Sequence, residues 1–542
     1  MLTMRLITLF VPTALIFSIG CAVEGARWQT YMSSAGKAEQ QGRLTVAEEL
    51  YLVALKDADS LGPEHPAVAI TLSGVTNLYI TQGRYAQAES LTKRAIAIME
   101  KAVGPEHCVV ALNLEALASI YLFQARYSEA EPLLKRALAI QENATVPDRC
   151  AVPVAPERIA YNLMGQGDLQ SLQGKYAEAE PLLKRSLAMR EKALGLEHPD
   201  VASSLDSLTA LYSELDRYSD ALQFAKRAVA IREKTSGPDH ITTARSLINL
   251  AAIYNHQANY TEAELLHKRS LTVLEKSLGS DHPTVAIAVA NLGSLHISQG
   301  KYPEAEMLLR RSLAIWERAL GSEHPYVAQN LQSLGSLYRH QGKYTEAEAA
   351  LKRALKITEK AQGPAHPDLG RVLSYLGDLY YVQGRCNEAE PLHKRALEIR
   401  ERALGLEHLS VASSLDGLGE VYLSQGRLGD AEPILRRASA IFEKTLGPEH
   451  PDTASSLNNV ASLYSAQGKY VEAEPLFKRA LVLLEKALAL EHPSLATVLE
   501  NYAELLRTTK REAEAAKFDA RANAVRGKYG EQKPTKCSTG GS

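Results

Sequence analysis

A histidine returns every 42 residues through most of this chain, carried by a recurring Gly-x-Glu/Asp-His string. The histidines are His65, His107, His198, His240, His282, His324, His366, His408, His450 and His492. Only the step from His107 to His198 departs: it spans 91 residues, two units and seven more. A fixed period of this size means stacked copies of one supersecondary unit, because a single unit cannot bury its apolar face alone. The 542 residues therefore read as one elongated array and not as several globules. Residues 146–156, which hold Pro147, Pro153 and Pro156, mark an enlarged loop where one unit loses the string.

Each unit reads as two helices. After His450, Pro451 suits a first helical turn, where its missing N–H has no partner to lose. Leu457, Val460, Ala461 and Tyr464 then recur three and four apart, which makes one apolar face. Gly468 ends that helix in the left-handed region, and Ala125 and Ala258 stand at the same place in two other units, each at a cost of up to about 1 kcal/mol. The second helix is expected to open with a capping box, as in Thr261 with Glu264, Thr345 with Glu348 and Ser128 with Glu131. Glu precedes Lys or Arg by four residues in nine units, from Glu89–Lys93 to Glu474–Lys478. The Lys-Arg doublets thus read as a solvated face and not as a basic binding stripe.

The segments Ala454–Tyr464 and Gln467–Ala480, with Ala461, Ala473 and Ala480 as small packing residues, resemble the tetratricopeptide repeat. More narrowly, they are similar to the 42-residue variety of kinesin light chains and many bacterial proteins. The resemblance runs from about Trp28 to Arg526. It implies an all-α fold, a right-handed superhelical solenoid of about twelve stacked helical hairpins with a long concave groove. Tyr31, Ala35 and Ala38 mark a degenerate first hairpin, and Glu512 and Asp519 make the last one polar, as an end cap should be. Kinesin light chain itself would carry a long heptad coiled coil ahead of the repeats, where this chain has an apolar segment.

That segment has the layout of a secretory signal. Arg5 is followed by fourteen uncharged residues, Leu6 to Ile19, and then by Gly20-Cys21. Fourteen apolar residues are short for a membrane span, which needs about 20. Ser18-Ile19-Gly20-Cys21 resembles a bacterial lipoprotein box, with Ser18 where the family has Leu, and this implies lipidation at Cys21. Residues 1–20 are expected to be a signal peptide, 21–526 the solenoid, and 527–542, poor in apolar residues, a disordered tail. The five cysteines do not make a disulfide scaffold. Cys108 and Cys150 open neighbouring units and could pair in an oxidising compartment, whereas Cys386 replaces a Tyr and reads as a buried thiol.

Lys+Arg 61 against Asp+Glu 63 excludes a broadly basic nucleic-acid binder. No phosphate loop, Cys-x-x-Cys or Gly-x-Ser-x-Gly is present, so no catalytic residue and no cofactor is expected. The histidines recur too far apart to share a metal ion, because equivalent loops of stacked hairpins lie at least ~8–10 Å apart. His-Pro is read as extending the chain before each helix. Function is sought at first-helix positions that vary between units, because in the family that helix lines the groove. Nine residues after His stand Gly74, Ala116, Ser207, Asn249, Asn291, Ser333, Tyr375, Gly417, Asn459 and Asn501. Five residues after His stand Arg245 and Arg371, and Arg339 and His340 lie at the end of their helix. Amides present donors and acceptors to an extended backbone, and Arg suits a carboxylate. Asp206, Glu214, Asp416 and Glu420 flank this stretch, so the groove is expected to be banded in charge.

The expected function is a non-catalytic scaffold, exported or lipid-anchored, that holds a peptide or protein segment in the groove. Its partners would be proteins, not nucleic acid, with membrane contact only through an N-terminal lipid. The alternatives are a structural spacer or assembly platform in a cell-envelope complex, and a cytoplasmic cargo adaptor resembling kinesin light chain.

Overall fold

The computed structural model describes residues 26–40, 43–143, 156–487 and 494–529. The signal-like segment with Cys21, most of the 146–156 loop, Cys150 and His492 lie outside the described residues. What is described consists of 24 helices paired into twelve hairpins, numbered here in chain order from Ala26–Gln40 with Leu44–Asp59 to Ser494–Thr508 with Glu512–Tyr529. Each hairpin packs on the next, and neighbouring first helices also touch one another, so these helices line the inner wall. Small residues permit the close approach: Ala461, Ala473 and Ala480 are fully buried, as are the alanines equivalent to Ala473 from Ala88 to Ala431.

Neighbouring hairpins are stapled on the outside. All nine expected Glu–Lys/Arg pairs form. Several of these glutamates also take the basic residue that opens the next second helix, as Glu89 takes Arg126 at 2.6 Å and Glu474 takes Arg511 at 2.9 Å. The doublet arginines reach back as well: Arg311 bonds Glu275 at 2.6 Å and Arg437 bonds Glu401 at 2.7 Å. The basic face is therefore an inter-hairpin staple, each exposed pair contributing about 0.2–1 kcal/mol. The capping boxes do not form. The second helix of hairpin 6 is Tyr260–Leu278 with Asn259 as N-cap, so Thr261 already lies inside it, and Glu264 turns outward to Lys268 and Lys301. The second helix of hairpin 8, Tyr344–Gln362, likewise starts without a side-chain cap.

The histidines do more than extend the chain. In nine hairpins the histidine is the N-cap of the first helix, with extended backbone and Nδ1 accepting the N–H two residues on, at 3.0–3.3 Å. Five of them act across the superhelix too. The Nε2 of His282, His324, His366, His408 and His450 bonds the terminal carbonyl of a first helix five hairpins earlier, at Thr81, Phe123, Leu172, Glu214 and His256 in turn. The distances are 2.5–2.8 Å. With Nδ1 accepting, neutral imidazole carries its proton on Nε2, which donates. Each ring thus satisfies an orphan N–H of its own helix and an orphan C=O of another. The solenoid completes one turn in five hairpins, and successive turns touch along this seam.

The positions after the first helices adopt positive φ, including Ala125 at 56° and Ala258 at 58°. Asp216, at φ 57°, has a use at the seam. Pro follows His in hairpins 7, 8, 9 and 11, but hairpin 10 has Leu409, whose N–H donates to Asp216 Oδ2 at 2.8 Å. Gly174 is shaped by the seam, since a Cβ there would lie 2.8 Å from Pro367 Cδ, whereas one at Gly468 would meet nothing within 4 Å. With φ of 76° and 77° both glycines are left-handed. Gly468→Ala should cost about 1 kcal/mol and Gly174→Ala about 1–2 kcal/mol more. Denaturant midpoints of the two variants check this, and equal losses would contradict a packed seam.

Candidate binding surface

The inner wall is built from residues five, eight, nine and twelve positions after each histidine. A polar residue at the ninth position is within reach of the eighth or twelfth residue of the preceding first helix. Asn249 donates to Asp206 at 3.3 Å, Asn459 to Glu420 at 3.0 Å and Asn501 to Asn458 at 3.1 Å. Ser207 likewise donates to Asp168. Two glycines at the ninth position make room for a neighbour: a Cβ on Gly74 would lie 2.7 Å from the Tyr51 ring and one on Gly417 2.4 Å from the His393 ring. Asn291 differs. The preceding helix offers it Ile248 and Ala252, both apolar, and neither amide atom of this buried side chain has a partner among the described residues.

Arg371 forms an ion pair with Asp368 at 2.8 Å. Burial works against its charge, but Asp368, Glu214 across the seam and neighbouring Tyr375 outweigh that and hold its pKa up. Arg245 is half-buried, its Nε has no partner among the described residues, and burial pushes its pKa down to about 10. Arg339 is half-buried, its Nε has no partner among the described residues, and it bonds His340 at 3.2 Å. It faces Glu420, whose pKa burial and the Asp378 carboxylate push up to about 7. The cationic and acidic bands are therefore neighbours on one wall. Arg371 is engaged at the seam, while Arg245 and Arg339 keep donor capacity.

Several features were not found from sequence. Glu115 is fully buried and accepts from Arg158 at 2.7 Å, Gln141 at 2.7 Å and Asn162 at 3.2 Å. The signal was a lone charged residue in the mostly apolar helix Cys108–Phe123, with an arginine near the start of the next first helix. His267 and His393 are buried where other units have mostly aliphatic residues. Cys386 is buried but disulfide-bonded, which corrects its expected free thiol, and Cys108 is disulfide-bonded too. Among the described residues no group of three or more His, Cys, Asp or Glu gathers to hold a metal ion, and no helix is long and apolar enough to cross a membrane.

Twelve stacked hairpins with an inner wall of first helices define a helical-repeat solenoid. The tetratricopeptide repeat profile matches residues 30–143 and 158–526 in ten overlapping segments, and the chain belongs to that family. No curated protein matches it. Among solved structures it is similar to a putative kinesin light chain with nearly identical repeats from Podosopora anserina, at 27% identity over 38% of this chain and 97% of that one, with a TM-score of 0.31. It is also similar to BtubC (BKLC) from P. vanneervenii, at 24% identity over 42% and 92%, with a TM-score of 0.34. A Rap protein complexed with competence and sporulation factor matches at 16% identity over 70% and 98%, with a TM-score of 0.50, a likeness of fold.

Burial lowers the pKa of His282 and His324 to about 4. Both are neutral in the fold at pH 7 and charge on unfolding below about 6.5, so the unfolded state binds more protons between pH 6.5 and 4. Their contribution is complete above pH 6.5 and is lost as pH falls, at up to about 1.4 kcal/mol per group and pH unit. A His282→Asn, His324→Asn double variant keeps a capping oxygen but cannot reach the carbonyls. It should be less stable than the parent at pH 7.5, and the gap should close by pH 4 in parallel denaturation series.

Proposed function

We propose that this member of a family of interaction scaffolds holds a peptide or protein segment against its inner wall, with Arg245, Asn291 and Arg339 as direct contacts. The observation that carries this is that polar atoms of those three side chains have no partner among the described residues, whereas the wall amides Asn249, Asn459 and Asn501 are bonded. Buried amides and guanidinium nitrogens seek partners, and an extended backbone with a carboxylate supplies both kinds. Glu420, held near 7 by burial and the Asp378 carboxylate, would ionise beside a positive charge on the segment. Because turns touch along the seam, such a segment enters along the superhelix axis. Arg245→Gln with Arg339→Gln should lower recovery of co-purifying partners about tenfold, the effect of losing roughly 1.4 kcal/mol. Unchanged recovery from a folded variant would refute the contact set.

We also propose export, on the layout of residues 1–21, with lipid attachment at Cys21. The mass and first residue of the protein from its own cells decide it. A chain starting at modified Cys21 is expected, and an unprocessed chain in the soluble fraction would favour a cytoplasmic adaptor.

A further inference from the structure

Among the described residues the seam repeats one interface five times, and each end of the superhelix is left with half of it. At the N-terminal end His65, His107, His198 and His240 cap their own helices through Nδ1, with no partner on Nε2 among the described residues. These rings are half-buried or exposed, whereas His282, His324 and His366 in the seam are at most 9% exposed. At the other end the terminal carbonyls of Leu409–Ser424 and Pro451–Ala466, equivalent to the five that accept in the seam, accept nothing among the described residues. Gly83 and Gly174 are covered by Pro283 and Pro367, but the equivalent Gly426 and Gly468 are exposed with nothing within 4 Å.

We propose that these two faces dock on each other between copies of this chain, so that molecules join head to tail and the seam continues from one to the next. The occupant is a second copy because the same chain carries both halves of an interface it already forms. Helix dipoles agree: the N-terminal face gathers positive ends and the C-terminal face negative ends. The contact is heterologous and follows a helical path, so it propagates as an open chain and does not stop at a dimer. Between molecules it lacks the help of chain connectivity, so it is weaker than within one molecule and depends on concentration.

The test is sedimentation velocity of the full chain from about 1 to about 100 μM. Species growing beyond two copies are expected. His65→Asn, His107→Asn, His198→Asn blocks the N-terminal face while an Asn oxygen preserves each cap. Ala466→Glu blocks the C-terminal face at an exposed helix end. Each variant alone should associate at least about tenfold more weakly. An equimolar mixture should form dimers and nothing larger, because each partner keeps one intact face. A chain that stays monomeric throughout, a parent that stops at the dimer, or association indifferent to both variants would overturn the proposal.

Discussion

Everything that makes this solenoid more than a row of hairpins depends on one imidazole placed between two helix ends. In a repeat array each unit meets only its neighbours, and small rotations add up along its length. Here the rings of hairpins 7 to 11 bond carbonyls 194 or 201 residues away, which fixes the pitch. The side chain must accept on one edge and donate on the other, at a distance that spans two helix ends. Neutral histidine does this. Asparagine caps but is too short, and a charged ring loses the accepting nitrogen. Where proline, which has no N–H, is missing after the ring, Asp216 takes the N–H that Leu409 exposes. The two separations differ by the seven extra residues between His107 and His198. The enlarged loop thus leaves the seam register untouched.

The period, the glycine stops and the nine i,i+4 pairs were legible in the sequence because each is set within one unit or between neighbours. The seam was not. The spacing of the histidines was plain, but which hairpins meet depends on the superhelical pitch, a sum of small rotations that no single unit displays. The capping boxes failed for a local reason: the motif Thr-x-x-Glu was present, but the helix opens at Tyr260, one residue before Thr261, and Lys301 of the next hairpin competes for Glu264. Cys386 stands where most units have Tyr, which suggested a core thiol, and covalent pairing is not visible in one unit.

On the inner wall the amide pattern was legible and its meaning only partly so. Asn249, Asn459 and Asn501 bond the preceding helix, because the same offset that exposes the ninth position to the groove brings it near a polar residue of its neighbour. Asn291 escapes only because Ile248 and Ala252 occupy those places. Groove residues in a repeat array are therefore judged by their neighbour's side chains as much as by their own type. Arg245 and Arg371 look equivalent in sequence, yet Asp368 engages only Arg371.

A closed seam and a ligand on the inner wall constrain each other. Five neutral hydrogen bonds at about 1 kcal/mol each, with the prolines packed beside them, make parting the turns costly. If a segment binds only after the turns part, its observed affinity falls by the fraction of molecules already open. A segment threaded from one end avoids that penalty but meets only the hairpins near its entry. Short extended segments are thus favoured over long wrapped ones while the seam is intact. The two equilibria are linked, so whatever loosens the histidine bonds must favour ligands that need an open turn, and by the same factor such ligands must loosen the bonds.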